Sequence, residues 1–358
     1  MLTMGIVGLP NVGKSTLFNS LIKTRKAKAS NYPFCTIEPN VGVVEVRDER
    51  LYQLGDMVKT RKLVPGVMEF VDIAGLAKNA SQGEGLGNQF LADIREVNAI
   101  LEVLRFFEDK DIIHVEGNVD PKRDKEIIEL ELILADLAII VKRIDKAQRA
   151  SRSGDKEEKR IYEAGLKIKE TLEKGNLASS ANLSEEEKFS LKSLSLLTLK
   201  PILYVANVDE EQLRTGSWKD LISNSEHFVP ICAKVEEELM DLDEEEKKEY
   251  LKTLNTDKSG LDRLVIESYR TLDLITFFTV GEKETRAWEL EKGSKAVDAA
   301  GKIHSDFARG FIRAEIINWK TLLDCASEAA AVEKGLIRGE GRDYMMQDGD
   351  CVNFKFNV

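Results

Sequence analysis

Residues Gly8-Leu9-Pro10-Asn11-Val12-Gly13-Lys14-Ser15-Thr16 decide how this chain is read. Two glycines separated by four residues and followed by Lys-Ser form the phosphate-loop pattern. The flanks are right for it. Leu2 to Val7 is a short apolar run suited to a buried strand, and a helical periodicity begins at Thr16 and runs to Ile22. Glycine lets the backbone wrap closely enough for successive N–H groups to face phosphate oxygens, and the helix N-terminus adds partial positive charge. Asn11, Val12, Gly13, Lys14, Ser15 and Thr16 are therefore the expected phosphate contacts. Lys14 should reach the β- and γ-phosphates and the Ser15 hydroxyl should ligate Mg²⁺.

The rest of the chain limits what such a loop can serve. At 358 residues two or three domains are expected, and 42% apolar content is ample for packed cores. A net charge of −11 excludes a general nucleic-acid coat and gives no reason to expect DNA as a partner, while leaving room for a local basic face. The four cysteines, at positions 35, 232, 325 and 351, form no CxxC pair, which suits reduced thiols better than a disulfide frame or a zinc site. No stretch is apolar for long enough to span a bilayer, and the N-terminus opens straight into the first strand without a cleavable leader. A soluble, cytoplasmic monomer with no membrane partner is the expectation.

Downstream motifs fall in a telling order. Thr36 lies between Pro33 and Pro39, in a segment held extended, where a threonine can complete a Mg²⁺ shell. The strand Val67 to Ile73 ends in Asp72-Ile73-Ala74-Gly75; Asp72 can hold a Mg²⁺ water and Gly75 can bring its N–H to the γ-phosphate. Leu76 stands where Ras-like switches carry a water-orienting Gln, so hydrolysis must be slow or must use another group. Asn11, whose side-chain oxygen can help hold K⁺, and His114, on a polar loop after the strand Ala99 to Phe107, are the candidates beside Lys14 for catalysis. Next come Asn207-Val208-Asp209-Glu210 at a strand end and Ala233-Lys234 after another strand. In guanine-nucleotide switches the first of these reads Asn-Lys-x-Asp, and that Asp makes a paired contact to guanine. Glu210 is one methylene longer and Val208 replaces the Lys, which speaks for ATP over GTP. Asn207, Val208, Glu210, Ala233 and Lys234 are the expected base-side contacts, with Asn207 bonding the purine edge.

Between these motifs the periodicity changes. Ile127, Leu130, Leu134, Leu137, Val141 and Ile144 recur at coiled-coil steps, and Ile161, Ala164, Ile168 and Leu172 continue them after a charged break. Ser184 with Glu187 has the form of a capping box. Residues 122–199 therefore read as a helical hairpin inserted into an α/β nucleotide domain made of residues 1–121 and 200–273, and residues 274–358 as a small α+β domain. Lys283, Arg286, Trp288, Lys292 and Lys295 form a candidate basic, aromatic patch there.

Taken together, the phosphate loop, Asn31-Tyr32-Pro33-Phe34-Cys35-Thr36, Asp72-Ile73-Ala74-Gly75-Leu76, Asn207-Val208-Asp209-Glu210 and the run from Gly301-Lys302-Ile303-His304-Ser305-Asp306-Phe307 to Ile312-Arg313-Ala314-Glu315 resemble the Obg-like ATPase (YchF) family over essentially the full length. The resemblance implies a G-domain fold using ATP and Mg²⁺, a coiled-coil insertion and a C-terminal ubiquitin-like TGS domain. It also implies association with the ribosome in translation or stress regulation. One departure is Glu102, where the family usually has His; His114 matches. A GTPase, or a nucleotide-sensing module with incidental turnover, is the competing reading.

Overall fold

The first strand, β1 (Thr3–Val7), is buried along almost its whole length and runs directly into the phosphate loop. This computed structural model describes residues 2–26, 40–73, 86–151, 154–222 and 227–357. Thr36, Gly75 and Leu76 lie outside them, as does the patterning read into the stretches around them. Helix α1 (Lys14–Lys26) follows the loop, then β2 (Val41–Val46), α2 (Glu49–Val58), β3 (Leu63–Val64), β4 (Gly66–Asp72), α3 (Leu86–Glu96) and β5 (Ala99–Arg105). Asp48 caps α2 by accepting from the Arg50 N–H, and Lys59 closes it in the left-handed region at φ 50°.

The insertion is α4 (Pro121–Ser151), α5 (Lys156–Glu173) and α6 (Glu185–Leu191). Ser184 and Glu187 cap α6 reciprocally, as the sequence suggested. The α5 seam of Ile161, Ala164, Ile168 and Leu172 is buried as expected, but the α4 seam is corrected. Leu130, Leu134 and Val141 are exposed, and the buried residues are Ile128, Leu132, Ile133, Ile140, Ile144 and Ala147. The cause is that α4 serves two partners. Ile128, Leu132 and Ala135 pack into the sheet core, whereas Ile133, Ile140, Ile144 and Ala147 pack against α5. A single heptad cannot serve both faces. Buried Asp136 closes the insertion by accepting from the backbone N–H groups of Leu197 and Thr198 at 2.9 and 2.7 Å and from the Thr198 hydroxyl at 2.6 Å.

The α/β layer then resumes with β6 (Ile202–Asn207), α7 (Glu210–Thr215), β7 (Phe228–Ile231), α8 (Ala233–Leu239), α9 (Glu244–Thr253) and α10 (Gly260–Thr271). Its six-stranded sheet has the order β2-β4-β1-β5-β6-β7, all parallel except the antiparallel β2–β4 pair. This order places the C-terminal ends of β1, β4, β5 and β6 side by side, the edge where ligands sit in open α/β sheets.

The C-terminal part holds β8 (Leu274–Thr279), β9 (Thr285–Glu291), α11 (Ala296–Ile303), α12 (Ser305–Arg309), β10 (Phe311–Asn318), α13 (Trp319–Cys325), α14 (Glu328–Glu333), β11 (Arg338–Glu340) and β12 (Asp350–Phe356). Its sheet, β11-β10-β12-β8-β9-β3, borrows β3 from the first half of the chain through a parallel pairing of Leu63 with Thr285 and Val64 with Arg286. Leu51 and Leu54 of α2 share a buried cluster with Phe278, Ala287, Ile317, Leu322 and Cys351. Arg50 bridges Asp48 and Asp348 at 2.7 and 2.6 Å. Among the described residues no helix is long and apolar enough to cross a membrane.

Candidate nucleotide site

The phosphate loop takes its shape from two close approaches. Gly8, at φ 156°, leaves room for the Val103 carbonyl, 2.5 Å from where a Cβ would stand. Gly13, at φ 99°, lies against the Asn207 amide, so a side chain there would collide with it. Asn11 also adopts positive φ, 63°, a conformation asparagine tolerates better than most residues. The Leu17 N–H then bonds the Gly13 carbonyl at 3.0 Å and starts α1.

A cavity of about 760 Å³ opens over this loop. Asn11, Gly13, Lys14, Ser15 and Thr16 line one end, and Asn207, Val208, Glu210, Ala233 and Lys234 line the other. The structure therefore brings together most of the side chains expected from sequence. Val12 is buried beneath the loop, and its carbonyl accepts from the Asn207 amide at 2.8 Å. Asp72, half-buried at the end of β4, shares an electrostatic interaction with Lys14. Ser15 and Asp72 are hard oxygen donors of the kind Mg²⁺ takes.

Lys14 is buried, and its Nζ donates to the carbonyls of Gly8 and Leu9 at 2.9 and 2.8 Å. Burial lowers its pKa to about 8, against the opposing pull of Asp72. A polyphosphate would favour the protonated form and raise that value. Affinity for a nucleoside triphosphate should thus be full below pH 8 and fall as pH rises through it, by up to about tenfold per unit. Titration calorimetry at fixed ionic strength checks this. Lys14→Arg, charged throughout, should lose the slope whatever its affinity; a slope that persists in that variant assigns it to another group.

Three expected features sit in settings that the sequence does not reveal. Asn207 was expected on the purine edge, yet its Nδ2 donates to the Val12 carbonyl and its Oδ1 accepts from the Ala233 N–H at 3.3 Å. It clasps the phosphate loop to the Ala233-Lys234 turn with one of its two amide N–H groups, while lining the cavity. His114 was expected as a catalytic group, yet it is 5% exposed and does not line the cavity. Its Nδ1 accepts from the Glu116 N–H at 3.1 Å, so the proton sits on Nε2, which lies 2.8 Å from Asp124 Oδ2 on α4. With both ring nitrogens engaged, His114 anchors its loop. Two of the four cations in the basic patch are paired. Lys295 pairs with Asp343 at 2.7 Å and Lys292 with Asp273 at 3.9 Å. Trp288 is covered by Arg286 at 3.9 Å, stacks with Phe277, and donates to Thr279.

Sequence reading missed the wall of the cavity. Arg105, 1% exposed at the end of β5, donates through Nε to the Phe107 carbonyl, through Nη1 to Ile112 and through Nη2 to Asp109, at 3.0, 3.0 and 3.3 Å. Phe107, Asp109 and Ile112 all line the cavity. Asn11 reaches across to the same loop, its Nδ2 donating to the Ile113 carbonyl at 3.1 Å. A cation ending an apolar strand, as in Leu104-Arg105-Phe106, was the available signal. The lining also includes Glu108, Asp109, Asp209, Glu210, Glu211 and Glu238.

With this geometry in view, similarity to known proteins becomes informative. Residues 3–162 match a family model described as "50S ribosome-binding GTPase", and residues 274–357 match YchF-GTPase_C, described as "Protein of unknown function (DUF933)". The chain is 49% identical to the protein named "Ribosome-binding ATPase YchF" of Bacillus subtilis, covering 100% of both, and 48% identical to that of Escherichia coli O157:H7, covering 99% of both. A solved structure titled "Structure of the Schizosaccharomyces pombe YchF GTPase" superposes with a TM-score of 0.86 at 39% identity, over 99% of this chain and 97% of that one. A phosphate loop clasped by Asn207, set in this sheet order and matched end to end by such relatives, makes the chain a member of the YchF family.

Proposed function

We propose that this protein is a Mg²⁺-dependent switch that binds ATP in preference to GTP, hydrolyses it slowly, and works in the cytoplasm as a monomer on the ribosome, in translation or its regulation under stress. The ribosome and ATP enter through the names of the Bacillus subtilis and Escherichia coli relatives. The observation that carries the nucleotide choice is the base end of the cavity. Six acidic residues line the cavity; Asp109, Asp209, Glu211 and Glu238 already accept from Asp111, Gln212, Arg214 and Tyr250, and Glu210 is exposed at the start of α7 to offer an acceptor. Adenine presents an amino donor where guanine carries an oxygen, so an acceptor-rich rim favours adenine and leaves the guanine oxygen opposed. Lys234, exposed on the same rim, supplies an aliphatic stem to lie along the base.

At the phosphate end, Lys14 and the loop N–H groups hold the β- and γ-phosphates. Ser15 and Asp72, with Thr36, would hold Mg²⁺, which when bound neutralises phosphate charge. Asn11 lines the cavity and commits its Nδ2 to the Ile113 carbonyl, which leaves its Oδ1 as the atom that would hold a K⁺ ion beside the phosphates.

Competition between ATP and GTP, each with Mg²⁺, is the test. ATP should bind roughly tenfold or more tightly. Since Val208 is buried and Glu210 is not, the informative variant is Glu210→Asp alone, which should narrow the ratio. The fission-yeast relative is titled a GTPase. Equal affinities in the unmodified protein would make that the better description here as well.

A further inference from the structure

We propose that the groove between the N-terminal edge of the nucleotide-binding sheet and the helical insertion binds single-stranded RNA, with a base stacked on Phe189 and phosphates on Arg95, Lys192 and Lys200. This deepens the ribosome-associated reading, on which it rests, by giving the surface and the chemistry of contact.

The groove encloses about 870 Å³ and is larger than the nucleotide cavity. Its sheet side is the α3–β5 turn, Arg95 to Asn98, together with Lys200 and Pro201; its insertion side runs from Ala178 through α6 to Leu199. Phe189 projects from α6 and is 77% exposed, whereas a phenylalanine kept for packing is mostly buried. Lys192 stands three residues further on, so it shares the ring's side of the chain. Four cations line this groove, Arg95, Lys188, Lys192 and Lys200, against the carboxylates of Glu96 and Glu185. Glu185 pairs with Lys188 at 2.7 Å on the outer face. A local positive groove on a chain of net charge −11 is the opposite of the background.

The geometry of the inner pair favours an anion. Lys200 Nζ is fixed by donating to the carbonyls of Arg95 and Val97, at 3.0 Å to the former. Arg95 Nη1 donates to the Ser195 carbonyl across the groove at 3.3 Å. Burial, and then the positive charge of Arg95, hold the Lys200 pKa below its ordinary value, with Asp136 pulling the other way. A phosphate beside both cations relieves their repulsion. The cations also lie on both walls, matching a polymer of repeated charge. A flat ring standing on the rim offers a face for a nucleobase without any pocket to enclose it. An acidic peptide would use the cations and leave the ring idle.

The test is fluorescence anisotropy of the full chain with a short fluorescein-labelled oligouridylate, and with a labelled oligoglutamate as the competing class, at low and at physiological salt. Phe189→Ala should weaken RNA binding about tenfold. Lys192→Glu should weaken it further at low salt and flatten the salt dependence, since about 0.7 of a counterion is released per phosphate contact on a single strand. Phe189→Leu, which keeps apolar bulk but no stacking face, should behave like the alanine variant. Unchanged RNA binding by Phe189→Ala/Lys192→Glu overturns the proposal, as does preference for the peptide. Ribosome co-sedimentation of the unmodified chain separates the two levels. If it sediments and the double variant sediments equally, the groove is wrong and the ribosome reading stands; if it does not sediment, that reading fails while the oligonucleotide result still decides the groove.

Discussion

Glu102→Leu should stabilise this protein by about 2–4 kcal/mol at pH 8, an unusual direction for a substitution in the middle of a central strand. Glu102 lies in β5 between Val7 of β1 and Tyr204 of β6, and it is fully buried. Neither carboxylate oxygen has a hydrogen-bond partner among the described residues. The charged groups acting on it come from α4. Glu129, which accepts from the Tyr204 hydroxyl at 2.5 Å, repels it, and Lys125, 4.6 Å from the centre of the Tyr204 ring, attracts it. Desolvation is the largest influence and Glu129 the next, so the carboxyl pKa is raised well above 4.5. The folded state keeps this proton at a pH where the unfolded chain has released it. Stability from this group is therefore intact below about pH 4.5 and declines as pH rises toward the folded-state value, at up to about 1.4 kcal/mol per unit. The gain from Glu102→Leu should accordingly be larger at pH 8 than at pH 5. Urea unfolding midpoints at the two pH values measure it; a leucine variant no more stable at pH 8 than the unmodified protein would refute this account.

Arg105→Ala should act in the opposite direction, lowering stability by about 3–5 kcal/mol and nucleotide affinity at least about tenfold. Its guanidinium is nearly inaccessible and is satisfied by three carbonyls of one loop, with the Phe107 ring 4.5 Å away. Removing it leaves a large void and frees those carbonyls, so the wall formed by Phe107, Asp109 and Ile112 loses its support. Two further ties remain, from Asn11 to Ile113 and from His114 to Asp124. They hold the far end of the loop and cannot replace an arginine at its start. Arg105→Lys keeps the charge but reaches fewer of the carbonyls, and should fall between. Calorimetric unfolding and nucleotide titration together read both effects; an alanine variant with unchanged midpoint and affinity would show that the loop is held without Arg105.

What could be read in advance follows from how local each cause is. The strand–loop–helix around Gly8 and Gly13 was legible because the glycines, the apolar run and Lys14 all lie within a few residues of one another. Asp72, Glu210 and Lys234 could be placed by order along the chain, since α/β topology brings successive strand ends to one edge. Asn207 was found but its clasp on the phosphate loop was not, because nothing local says that Gly13 comes within touching distance of its amide. His114 was likewise found in sequence, but Asp124, which makes its loop fast, lies across a turn at the start of α4. The α4 seam slipped because a helix packed on two neighbours has no single period. Arg105 and Glu102 looked alike as charges within an apolar run; only the structure shows that each guanidinium nitrogen of one is bonded and that the other has no partner among the described residues.

The pairing of β3 with β9 and the burial of Leu51 and Leu54 among C-terminal side chains bear on how this chain can be divided. A cut before Leu274 would strip the cover from α2 and leave Arg50 without Asp348, although the sequence changes character at that point. The segment leading into α2 is β2, which begins two residues after Pro39, close behind Thr36. The C-terminal sheet is thus bolted to α2 and β3, which follow β2 in the chain, as an axle is keyed to a gear. Shift one and the other must turn or the key must shear, so the physical unit of this protein is larger than any of the domains its sequence suggests.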